Sequence, residues 1–208
     1  MKPFHIVILS SMMLFGCSKP IIYNLSLKSV ELPKTEQTIT YDKDLMIEEE
    51  SDSIFYHYED GLIDIRWYPE SKGFFFELLN KSEQTIKINW DEVVYIDEKG
   101  RTNRVVHNGV NYTETDDIQV PSIIPKGATL EDFVMPAENA YYVSGQYGGW
   151  KIESLFERRS TIRSFEKIRN QYKDKTVKLI IPIVQNVNVK EYTFVFVIHD
   201  VILIKKLF

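Results

Sequence analysis

Between Gly73 and His107 the chain alternates apolar and polar residues in short runs broken by turn residues, and this pattern dictates paired β-strands. Phe74, Phe76 and Leu78 recur at every second position of one run, and Ile86, Ile88 and Trp90 do the same in the next, with Lys87, Asn89 and Asp91 between them. A period of two puts each set on one face, so the second strand has one dry side and one wet side. The polar break 81–84 and the turn Glu98-Lys99-Gly100 fit hairpin connections. Glu92 interrupts the parity shared by Ile86, Ile88, Trp90, Val94 and Ile96. A bulge, or a strand leaving one sheet for another, is expected near Asp91 and Glu92.

The same grammar extends along the chain. Runs at 54–58 and 62–68 flank Glu59-Asp60-Gly61, an Asp-Gly turn signal, and Ile63, Ile65 and Trp67 alternate with Asp64 and Arg66. Pro121 within Val120–Ile124 predicts an edge strand or extended loop, because proline cannot donate to a central ladder. Tyr192, Phe194, Phe196 and Ile198 have Val195 and Val197 on the opposite parity, so this strand is expected in the middle of a layered structure. The rhythm breaks at 141–170. Tyr141, Tyr142, Tyr147 and Trp150 are interleaved with Gly145, Gly148 and Gly149, which reads as an aromatic loop. Ile162, Phe165, Ile168 and Tyr172 then recur at helical spacing, with Ser160 placed to cap them. At 208 residues the chain suits one substantial core. The expectation is an all-β fold, an immunoglobulin-like antiparallel β-sandwich over residues 51–208 with one short helical insertion at about 155–172.

The N-terminus has a different character. Lys2 precedes a short, mostly apolar stretch from Phe4 to Phe15, which ends at Leu14-Phe15-Gly16-Cys17. A basic tip, an apolar run and a small residue before the cleavage point make a secretory signal, and the run falls short of the ~20 apolar residues of a permanent span. Leu14, Gly16 and Cys17 resemble the lipobox of bacterial lipoproteins. The resemblance implies a signal peptide at 1–16 and an acylated, palmitate-type lipid anchor on Cys17 as the mature N-terminus. Ser18, with no aspartate at that position, resembles the pattern that sorts such proteins to the outer membrane facing the periplasm. Cys17 is the chain's single cysteine, so no disulfide can form within it, and lipidation accounts for an unpaired thiol in an oxidising compartment. Residues 17–50 read as a lipidated terminus and tether, although Tyr23, Leu25 and Leu27 alternate and could form a short docked strand.

Charge narrows the function classes. Lys and Arg number 25 against 30 Asp and Glu, a net charge of -5 with no long basic run, which disfavours a nucleic-acid partner. His5, His57, His107 and His199 are scattered, so no metal-ligand spacing is present and no cofactor is implied. Glu114, Asp116 and Asp117 could hold a calcium ion but read as a solvated turn. Ser144 lacks flanking glycines at the nucleophile-elbow positions, and Asp91 and Glu92 would point to opposite faces of a strand, so no catalytic set is legible. The expectation is therefore a non-enzymatic envelope lipoprotein, membrane-bound through Cys17, whose β-sandwich binds or assembles with another envelope protein. Tyr141, Tyr142, Tyr147 and Trp150 are the candidate binding residues, and stacking on a glycan is the alternative reading. A hydrolase whose site only the fold assembles is the third.

Overall fold

The computed structural model describes residues 18–32, 37–40, 47–50, 53–108, 110 and 118–204. Alternating side chains form the strands in chain order: β1 (Lys19–Leu32), β2 (Gln37–Thr40), β3 (Ile47–Glu50), β4 (Ser53–Glu59), β5 (Ile63–Pro69), β6 (Phe74–Asn80), β7 (Ile86–Ile88), β8 (Val94–Ile96), β9 (Thr102–His107), β10 (Ser122–Ile124), β11 (Thr129–Pro136), β12 (Ala140–Val143), β13 (Gly149–Ile152), β14 (Arg159–Ser160), β15 (Thr176–Gln185) and β16 (Asn188–Leu203). One helix, α1 (Ile162–Tyr172), follows β14 among the described residues. Among the described residues fourteen strands join one antiparallel sheet, which runs β14-β1-β16-β15-β8-β9-β11-β6-β5-β4-β3, with β2 added to β1 and β7 bridging β15 and β10.

The sheet curls into two layers at β9. Thr102 to Arg104 pair with β8, and Val105 to His107 pair with β11. The chain therefore changes layers at Arg104 and Val105, not at Asp91 and Glu92. The parity break at Glu92 is instead a single 3-10 turn, Trp90–Glu92, between two strands that both pair with β15. The turn keeps Trp90 buried while it exposes its two carboxylates.

The layers meet through aromatic side chains. Trp67 of β5 lies 5.0 Å from Phe194 and 5.6 Å from Phe196 of β16, and Phe74 of β6 lies 4.7 Å from Phe196. Ile63, Ile65, Phe76 and Leu78 complete this dry face, in the parity that the alternation requires. The fold is the expected all-β antiparallel sandwich with one helical insertion. Val195 and Val197, on the other parity of β16, are also buried, as a strand flanked on both sides requires. Among the described residues β10 pairs only with β7 and is an edge, in keeping with the preceding Pro121.

Two boundaries differ from the sequence expectation. Of the two readings of residues 17–50, the docked strand holds for β1 and extends beyond Tyr23, Leu25 and Leu27: β1 pairs with β16 from Ile21 to Glu31 and buries Leu27 and Val30, so the sheet begins at Lys19 and not near residue 51. Its apolar side chains alternate through two register shifts, which masks the period. The helix starts at Ile162 and is capped by Thr161, not Ser160, because Thr161 and Ser164 exchange the two bonds of a capping box. Ile168 and Tyr172 are buried under it, Phe165 is partly buried, and Ile162 is exposed. Residues 1–16, Cys17 and the acidic cluster at Glu114, Asp116 and Asp117 lie outside the described residues.

Candidate binding surface

The four aromatic residues singled out by the sequence sit on a two-stranded hairpin, β12 against β13, that stands apart from the main sheet. Tyr141-Tyr142-Val143 and Trp150-Lys151-Ile152 are strand-forming triplets, and the glycines between them shape the turn. Gly145 and Gly149 have φ of 117° and 126°, and a Cβ on Gly148 would lie 2.3 Å from the Val143 carbonyl oxygen. The expected loop is therefore an ordered hairpin. Its base is rooted in a small satellite core, where Ala140 and Ile152 pack with Val106 and Met135.

Above that base the rings face water. Tyr147 is 87% exposed, Tyr142 61%, Tyr141 40% and Trp150 38%, and Val143 beside them is also exposed. Tyr142 and Trp150 are directly opposed across the strands, with centroids 5.7 Å apart and planes at 63°. They meet edge to face, so they do not make one flat platform of the kind that stacks on a sugar ring. The Tyr141 hydroxyl donates to Glu153 Oε1 at 3.1 Å, and this bond raises its pKa.

A groove of about 690 Å³ opens at the same end of the sandwich. Six consecutive residues of β1, Ile21 to Ser26, line it, opposed by Tyr56, the β5–β6 turn at 69–71, and Phe156 and Arg158. Residues of both parities line it, so it runs along the edge of β1 and not over one face. β14 pairs only with Lys19 and Pro20, and β2 only with Ser29 to Leu32. Between them, no strand pairs with that edge among the described residues. The floor is apolar and aromatic: Tyr23 lies 4.8 Å from Phe156, and Tyr172 of α1 closes the trio at 5.4 Å from each. Burial first, then the neighbouring Tyr172 and Glu157, pushes the Tyr23 hydroxyl far above its ordinary pKa, so it stays a donor, here to the Glu157 carbonyl. The Tyr56 hydroxyl donates to the Leu25 carbonyl.

One polar pair in the groove was invisible in sequence. Ser26 Oγ and His199 Nε2 are hydrogen-bonded across β1 and β16, although 173 residues separate them. His199 falls where the register shifts beside Asn24 and Leu25, so the bulge turns its ring towards Ser26. Two other histidines have carboxylate partners. His107 Nδ1 lies 3.0 Å from Asp132 Oδ2 and its ring stacks on Trp90 at 4.2 Å. His57 Nε2 lies 2.9 Å from Asp64 Oδ1, and with Glu59 this group brings three ligand atoms within 4.8 Å. Lys81 already holds the Glu59 carboxylate, first by its hydrogen bond and then by its charge, and lowers its pKa. That cluster is a surface ion-pair network.

Comparisons with family models, with curated proteins and with solved structures give no match to this chain. Among the described residues, no helix is long and apolar enough to cross a membrane.

Proposed function

We propose that this chain is a lipid-anchored protein of the bacterial envelope, held through Cys17, whose non-catalytic β-sandwich receives a segment of another envelope protein in the groove beside β1. The groove carries this reading. Six strand residues extend about 20 Å, so the trough is shaped for an extended segment more than for a compact ligand. Its apolar floor with Ser26, Asn24, Glu70 and Arg158 among the lining residues has the anatomy of a protein interface, with dry contacts that hold and polar groups that orient. An added strand can also use the edge of β1.

The lipobox-like Leu14-Phe15-Gly16-Cys17 supports the anchor and, with Ser18, an address in the outer membrane facing the periplasm. The test is crosslinked affinity purification from native membranes, with Cys17→Ala as control. One stoichiometric envelope protein, reduced in the control, is expected; no protein above background contradicts the reading.

The Ser26–His199 hydrogen bond favours a second reading, a hydrolase with Ser26 as nucleophile and His199 as base. A fluorophosphonate probe distinguishes the two. Labelling that is lost in Ser26→Ala supports the hydrolase, and an unlabelled wild type supports a binding groove.

A further inference from the structure

We infer that the aromatic hairpin, Ala140 to Ile152, docks into the lipid surface beside the chain's N-terminal anchor; the inference rests on the lipoprotein reading for its geometry, and not on any property of the groove. The first observation is composition. Thirteen residues carry four rings and Val143 but only one charge, Lys151. Tyr and Trp pair an apolar body with a polar tip, which places them at the level of lipid headgroups. The turn itself, Ser144-Gly145-Gln146-Tyr147-Gly148, has two polar side chains but no charge, and Tyr147 is the most exposed of the four rings.

The second observation is position. The segment 153–159 runs from the hairpin to the exit of the N-terminus, and separate hydrogen bonds fix it along the way. The Glu153 amide donates to the Asn139 carbonyl at 2.8 Å, and the Leu155 amide to the Ser71 carbonyl at 2.9 Å. The Ile21 amide then donates to the Arg158 carbonyl at 2.9 Å. Arg159 clasps Ser18 itself, through Nε to Oγ at 3.1 Å and through Nη2 to the carbonyl at 2.7 Å. Ser18 is the residue after Cys17. An acyl group on Cys17 therefore inserts next to the segment that leads out of the hairpin.

The third is reach. Four residues per strand plus the turn project about 15 Å from the base. The headgroup region adds roughly 5–8 Å on each side of the hydrocarbon. Tyr147 and Val143 at the tip can thus meet the acyl boundary while Ala140 and Ile152 stay in their satellite core. The sole cation makes the contact apolar and interfacial, so it is expected to persist at high salt, unlike the docking of a polybasic patch.

Tryptophan fluorescence tests this directly. The chain has three tryptophans; Trp67 and Trp90 are fully buried, so only Trp150 can report on solvent or lipid. The full-length protein, purified from its own membranes, is reconstituted into phosphatidylcholine vesicles with and without brominated acyl chains. Flotation is measured in parallel. The expected result is flotation together with brominated-lipid quenching and loss of iodide access; Trp150→Phe still floats through its anchor but loses both fluorescence signals, and quenching falls several-fold in the double variant Val143→Ser, Tyr147→Ser. Both substituted positions in the double variant are exposed, so the fold is preserved. Protein that floats while Trp150 stays open to iodide overturns the inference and leaves the anchor standing. Protein that carries no acyl chain but shows Trp150 quenched by brominated lipid supports the docking and overturns the lipoprotein reading.

Discussion

Asp60 and Lys190, 130 residues apart in sequence, meet at 2.7 Å and bolt one layer of the sandwich to the other. The Asp60 carboxylate also accepts from the amides of Leu62 and Ile63 at 2.7 and 2.9 Å, and from the hydroxyls of Tyr192 and Tyr58 at 2.8 and 3.1 Å. One side chain thus closes the β4–β5 turn and ties it to β16. Burial alone would raise its pKa, but the Lys190 bond, the two amides and Tyr192 outweigh burial and lower it. A carboxyl whose folded pKa lies below its unfolded one adds stability above the ordinary carboxylate pKa and loses it as pH falls through the folded value. The window is therefore below about pH 4. Asp60→Asn should cost about 2 kcal/mol near neutral pH. Urea midpoints taken near neutral and in the acid window should converge between wild type and variant as pH falls.

A second lock is Asn80, which is fully buried. Its Nδ2 donates to the carbonyls of Gln84 and Ile124 at 2.7 and 2.9 Å, and its Oδ1 accepts from the Ser82 amide and hydroxyl at 2.9 and 2.7 Å. Asn80→Ala strands these groups without water and should cost about 3 kcal/mol, read as a lower denaturant midpoint with an unchanged slope.

Phe156 joins the groove to α1. It packs on Tyr23 and Tyr172, so Phe156→Ala should cost about 3 kcal/mol and loosen the helix. Hydrogen exchange should accelerate at 162–172, while the β5–β6 core keeps its protection.

Gly148→Ala should disrupt the hairpin turn and little else, because the new Cβ meets backbone atoms of the hairpin alone. Global stability is expected to change by less than about 1 kcal/mol. Near-ultraviolet circular dichroism should register the changed packing of Tyr142 against Trp150.

The sandwich was legible because its inward residues keep strict alternation: Ile63, Ile65, Trp67, Phe74, Phe76 and Leu78 are all buried as the period requires. The aromatic hairpin was legible as a cluster, but its exposure was not. Sequence alone does not distinguish rings that roof a core from rings that leave it, and the deciding fact is that the satellite core ends at Ala140 and Ile152. Only the Tyr23, Leu25 and Leu27 part of β1 shows its alternation in the sequence, because two register shifts carry the rest of the strand out of that period. The groove had no sequence signal, since Ser26 meets His199 only through the pairing and bulge of β1 and β16, and Tyr56 meets Leu25 only through the curl of the sheet.

The most direct test of the proposed function is site-specific photo-crosslinking in native membranes. A photoreactive residue replaces Ile22, which lines the groove and is exposed, or Val187, exposed at the β15–β16 turn near the opposite end of β16. The proposed function predicts one discrete envelope protein adduct from Ile22 and none from Val187. Adducts of equal yield at both positions, or none at Ile22, contradict it.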